Sequence, residues 1–95
     1  MRSGVFVMLE KDIERKACEA AKRAGWLAFK FVSPAQRGVP DRIFIKAGRI
    51  VFIEFKASGG KLTALQERMI DRLKAQGCEV FTCDSVEAAC NALSI

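Results

Sequence analysis

Residues 49–56 read Arg-Ile-Val-Phe-Ile-Glu-Phe-Lys, an apolar run into which a single carboxylate is set. A strand apolar on both faces is covered on both faces, and a charge carried into such a place needs a partner. The preceding run, residues 42–46, is equally rich in β-formers, and only Ala47-Gly48 separates the two. That spacing predicts a hairpin with a two-residue turn. Alanine is a poor first residue for a type I′ turn, so the turn type stays open. The turn fixes the register: Lys46 faces Arg49, Ile45 faces Ile50, Ile43 faces Phe52 and, one step past the strand, Asp41 faces Glu54. Opposed residues hold their β-carbons about 4.5–5.5 Å apart, and like charges there repel. A divalent cation between them removes the conflict. Mg²⁺ takes oxygen ligands at about 2.0–2.1 Å and uses one or two carboxylates together with phosphate and water. Lys56 shares the face of Glu54 by the two-residue period, where an ammonium holds or deprotonates a water or neutralises charge growing on a phosphate. Phe55 points the other way and offers its backbone carbonyl to the same ion. This set suits phosphodiester hydrolysis. The plainer alternative is an exposed strand face, with Asp41 a turn residue after Pro40.

Missing residue types narrow the chemistry further. The chain has no His and no Tyr, which excludes histidine bases, His-ligated zinc, Ser-His-Asp and Cys-His catalysis, and a tyrosine nucleophile. Its net charge is +5. Residues 30–61 hold seven cations and two anions, whereas the remainder holds nine of each. The entire excess lies in the central third, the footprint of a polyanion site, most often nucleic acid. Of the four cysteines, Cys18, Cys78, Cys83 and Cys90, the first and last sit at helical positions among alanines, as small core residues do, and all four are expected to be reduced, buried thiols. With no signal-peptide pattern at the N-terminus and no apolar run long enough to span a membrane, the expected compartment is the cytoplasm.

At 95 residues, one domain is expected. Residues 1–8 read as a leader, flexible or interface-forming, and 9–95 as the domain. A helix is predicted over about 9–24, with Ile13, Ala17, Ala20 and Ala24 as its apolar stripe and Gly25 beyond its end. Residues 26–32 read as a buried strand and 33–40 as a loop. After the hairpin, Thr63 with Gln66 resembles a capping box. It opens a helix with Leu65, Met69 and Leu73 inward, closed by Gly77. A strand follows over 78–83. Asp84 or Ser85 then caps a last helix along Val86, Ala89, Cys90 and Leu93. The expected class is α/β: a small mixed sheet with flanking helices in the order α-β-β-β-α-β-α. The hairpin is antiparallel, and the later strand–helix–strand unit is a right-handed parallel crossover.

Gly38-Val39-Pro40-Asp41, a gap of twelve residues, and Glu54-Phe55-Lys56 resemble the PD-(D/E)XK nuclease signature. The element order is similar to that superfamily's restriction-endonuclease-like core. Within it the chain looks like the VRR-NUC group, including stand-alone phage and bacterial members. Phe31-Val32-Ser33-Pro34 before the turn and Gln66 in the following helix strengthen the likeness, which spans about residues 9–90. The resemblance implies Asp41, Glu54 and the Phe55 carbonyl as ligands of Mg²⁺ or Mn²⁺, and Lys56 as the catalytic lysine. Gln66 would support the site or touch the scissile phosphate, or would serve only as the cap partner of Thr63. It also implies a first-helix glutamate, Glu14 or alternatively Glu10, for a second metal or a water. Lys30, Ser33, Arg37, Arg42 and Lys61 border this set as candidate DNA contacts, which position a backbone without reading bases. The expectation is a metal-dependent endodeoxyribonuclease selective for branched or junction DNA, in a bacterial or phage-infected cell. A homodimer is expected, joined through residues 5–9 or the last helix. A non-catalytic DNA-binding module on the same fold is the competing expectation.

Overall fold

A computed structural model describes residues 8–95. The elements are α1 (Glu10–Arg23), β1 (Leu27–Lys30), β2 (Arg42–Lys46), β3 (Arg49–Phe55), α2 (Ala64–Ala75), β4 (Glu79–Cys83) and α3 (Val86–Ala92). The order is the expected one. One four-stranded sheet runs β1-β2-β3-β4, with the first two pairings antiparallel and β3–β4 parallel.

The register of β2 on β3 is the one set by the two-residue turn, from Lys46↔Arg49 to Arg42↔Ile53. Ala47 (φ 50°) and Gly48 (φ 82°) are both left-handed, so the turn is type I′, and alanine adopts a conformation usually left to glycine, Asn or Asp. The odd residues Val51, Ile53 and Phe55 face a core filled by Ile13, Ala17, Cys18 and Ala21 of α1 and by Ala89, Ala92 and Leu93 around α3. On α1 the buried positions are thus Ile13, Ala17, Cys18 and Ala21, with Ala20 and Ala24 of the expected stripe only half-buried. Met8, assigned from sequence to the leader, packs against this core, and its carbonyl accepts the Ser58 N–H. Residues 1–7, with the interface expected of residues 5–7, lie outside the described part.

The opposite face of the sheet is covered at one end only. There α2 packs on β4 and buries Met69 and Ile70; Leu65, expected inward, is exposed, and Leu73 is half-buried. Residues 26–32 are not a buried strand. Trp26 is buried just ahead of β1, but β1 is the sheet edge, with Leu27 55% and Phe29 51% exposed. Ile50 is also 50% exposed, so β3 is doubly covered only toward its C-terminal end. Position in the strand order decides this, because an edge strand with no helix over one face stays open whatever its composition. Ser85 caps α3 by accepting the Ala88 N–H, while Asp84 accepts the N–H of Gly59 in the 57–63 loop.

Candidate active site

The covered end of the second face holds the carboxylate singled out in the sequence. Glu54 is 2% exposed, the one buried charged residue among those described. Alternation along β3 sends it to the face opposite Ile53 and Phe55, under the first turn of α2. Its Oε2 accepts from Gln66 Nε2 at 3.0 Å and lies 3.5 Å from Lys56 Nζ. Lys56 continues the β3–β4 pairing through an N–H bond to the Cys83 carbonyl, which keeps its side chain on the face of Glu54.

Asp41 stands where the hairpin ladder runs out. Its backbone carbonyl accepts the Phe31 N–H, and its Oδ2 accepts the Phe55 N–H at 2.8 Å. The carboxylate thus replaces a backbone acceptor beyond the last paired residue and is fixed next to Glu54. Burial raises the pKa of Asp41 above the usual carboxylate value, against the lowering effect of the Phe55 hydrogen bond. Glu54 is pushed to about 7 by burial first and by the charge of Asp41 second, which together outweigh Lys56. Two acids that disfavour each other's ionisation inside a domain are a receptor for positive charge.

The donors suit a hard divalent cation. Gln66 and Lys56 share Oε2 of Glu54, and Phe55 uses Oδ2 of Asp41, so Oε1 and Oδ1 have no hydrogen-bond partner among the described residues. Two carboxylate oxygens match Mg²⁺ or Mn²⁺ sites completed by water and substrate phosphate. The described residues contain no group of three His, Cys, Asp or Glu side chains placed to hold a metal. Neither first-helix acid is therefore drawn in beside the pair. Glu14 is instead clasped by Arg42 Nε at 2.6 Å and Lys30 Nζ at 3.2 Å. Burial raises its pKa, but these two cations overcome that and leave it below the ordinary value. Its charge still reaches Asp41, and that of Glu10 reaches Glu54.

Gln66 contacts both Thr63 and Glu54. Its Oε1 accepts the Thr63 N–H at 3.0 Å, and its own N–H donates to Thr63 Oγ1, completing the capping box. The other end of the same amide donates to Glu54. Of the expected DNA contacts, Lys30 and Arg42 are engaged with Glu14, Ser33 is half-buried in the loop before Asp41, and Arg37 and Lys61 are exposed. Arg68 and Arg72, which share a groove with Arg37, were absent from the sequence-derived set. Their spacing of four on α2 was the available signal.

The fold and this acid–acid–lysine cluster together define a domain of the PD-(D/E)XK nuclease type. The VRR-NUC domain family profile matches residues 5–87. A protein of Acyrthosiphon pisum secondary endosymbiont phage 1, named "Putative nuclease p44", is 44% identical over 77 residues, which are 80% of this chain and 83% of that one. A solved structure described as a VRR_NUC domain superposes with a TM-score of 0.81 at 25% identity, over 90% of this chain and 94% of the other. The chain belongs to the VRR-NUC domain family.

Proposed function

We propose that this protein is a Mg²⁺- or Mn²⁺-dependent endonuclease that hydrolyses DNA phosphodiesters. The observation that carries the reading is the Asp41–Glu54 pair with Lys56 at 3.5 Å from Glu54, two acids raised by burial and each keeping one oxygen unpartnered. A bound divalent cation supplies Lewis acidity toward the scissile phosphate. The chain's own groups do the rest. The Phe55 N–H fixes the rotation of the Asp41 carboxylate, and Gln66 fixes that of Glu54. Asp41 and Glu54, with the Phe55 carbonyl, would hold the metal. Lys56, anchored on Glu54, orients the attacking water or meets the negative charge that grows on the phosphate. Glu14 and Glu10 act on this site through their charges.

Phosphate gripping, with no base-reading element assigned among the described residues, favours recognition of DNA shape, a branch or junction, over base sequence. A homodimer fits this reading, since two copies give two sites. Leu27, Phe29 and Ile50 on the open sheet face give a second copy apolar surface to bury. Among the described residues no helix is long and apolar enough to cross a membrane.

The test is incubation with branched and linear DNA in Mg²⁺, Mn²⁺ or EDTA. Cleavage that requires metal, prefers the branch and disappears in Lys56→Ala supports the reading. Salt-sensitive binding without cleavage would reduce the protein to a DNA-binding module. Sedimentation as a monomer at tens of micromolar, with and without DNA, would remove the dimer.

A further inference from the structure

A second feature lies along α2, beside the carboxylates but separate from them. The 33–40 loop presses onto the first turn of α2 at Gly38. That residue has φ +84°, and a Cβ there would stand 2.9 Å from the Leu65 carbonyl oxygen, so only glycine lets the loop approach so closely. The contact brings Arg37 over the helix, where Arg68 and Arg72 stand one turn apart. The three arginines border a groove of about 300 Å³ floored by Leu65 and Met69. No acidic side chain lines it. All three arginines are exposed, and none has an ion-pair or hydrogen-bond partner among the described residues. Like charges at i, i+4 work against a helix, and a third cation held above them adds to the repulsion.

The groove on α1 shows the alternative. It too is rich in cations, with Lys11, Arg15, Lys22 and Arg42, but Glu14 and Glu19 also line it. Arg42 is bound to Glu14 and Arg15 to Glu19. Two of that groove's four cations are thus matched from within, whereas the groove on α2 has no acidic lining residue at all. Position points the same way. Gln66 donates to Glu54, and Arg72 lies six residues further along the helix, a rise of about 9 Å. Each strand of a duplex carries about one phosphate per 3.4 Å of helix axis, so a groove this close to Gln66 falls within a few nucleotides of the reacting position. Guanidinium groups match phosphate oxygens by paired donors.

We propose that Arg37, Arg68 and Arg72 form a backbone-binding groove that holds the substrate DNA beside the scissile bond. The inference rests on the reading of the neighbouring carboxylates as a DNA-cutting centre. It is tested by binding measured separately from cleavage, in EDTA, across a salt series, using the duplex or branched DNA that the wild type binds. Arg68→Gln/Arg72→Gln should weaken binding roughly tenfold or more near 0.15 M salt and lower the slope of log K against log salt by about 2. Arg37→Gln should lower the slope by about 1. The control Arg15→Gln/Lys22→Gln, on the half-matched groove of α1, should lower the slope clearly less than the α2 pair does. Thermal unfolding of each variant separates lost binding from lost fold. Equal slope losses in both double variants would make the effect one of total charge and overturn the groove. So would an unchanged slope in the α2 variants of a protein that still cuts DNA. Wild-type protein that does not bind DNA overturns it as well. A wild type that binds but never cleaves, with the slope lowered chiefly by the α2 variants, leaves the groove standing and removes the nuclease reading.

Discussion

Glu14 and Glu54 are the same side chain in two regions of one small domain, and the fold moves them in opposite directions. Burial raises the pKa of both. At Glu14 two cations supplied by the chain, Arg42 and Lys30, reverse that effect. At Glu54 the next-largest influence is another acid, Asp41, and the value settles at about 7 with Lys56 only partly compensating. Desolvation therefore does not distinguish these two acids. The neighbour does: an acid whose cations come from the fold is already satisfied, and an acid set beside another acid is left to take a cation from outside.

The largest expected effects sharpen that contrast. Glu54→Gln should reduce metal-dependent DNA cleavage by at least roughly 10²- to 10³-fold, the scale for losing one fixed electrostatic group at a reacting centre. Glu14→Gln, assayed where it remains folded, should stay within about tenfold of wild type, because it acts on Asp41 only through its charge. If Glu14→Gln were as inactive as Glu54→Gln with its melting temperature unchanged, the contrast would break and Glu14 would join the site. Stability should rank the two in reverse. Removing the Glu14 charge leaves Arg42 half-buried without its partner and should cost about 1–3 kcal/mol, a fall of roughly 4–8 °C for each kcal/mol in a domain of this size. Glu54→Gln should be neutral or stabilising near neutral pH, since it removes a poorly tolerated charge.

Titration carries the same opposition. The folded protein holds the Glu54 proton more tightly than the unfolded chain, whose value is near 4.5. The stability linked to Glu54 is complete below about 4.5 and is lost as pH rises through about 7, a change of order 3 kcal/mol. Asp41, also raised, acts in the same sense. Glu14, lowered, contributes above its unfolded value and loses that contribution as pH falls through the folded one. Denaturant melts in EDTA should therefore show stability declining from about pH 5 to about pH 7.5, with a flatter profile in Glu54→Gln. Mg²⁺ should offset the decline by binding the ionised pair, and removing the metal should restore it. A decline that persists unchanged in Glu54→Gln would assign it to other groups.

Asp41, Glu54 and Lys56 were legible because two-residue turns and two-residue alternation are local rules, and nothing distant overrode them. Arg42 is 28 residues from Glu14, and no local pattern announces such a pairing. Leu27 and Phe29 have strand-core composition, yet strand order placed them at an open edge. Arg68 and Arg72 were hidden by segment counts, in which Glu67 and Asp71 of the same helix cancel them. A helix presents charge by stripe, and their stripe meets Arg37 only after the Gly38 loop has docked.

The smallest effect probes how the satisfied and unsatisfied regions are joined. Thr63 lies in neither, yet its capping box holds the oxygen of the Gln66 amide and so turns the NH₂ toward Glu54. Thr63→Ala should cost about 1 kcal/mol, as loss of an N-cap does, visible as a small drop in melting temperature. The backbone N–H of residue 63 survives the change, so the amide keeps its sense but loses the tight first turn that sets its distance. Cleavage should fall only a few-fold, in kcat rather than KM, and Thr63→Ser, which restores the hydroxyl, should recover both properties. A variant that melts earlier but cuts at the wild-type rate would show that the cap serves the helix alone. Glu54 would then owe its orientation to burial and Lys56, and the geometry of the acid pair would not depend on α2.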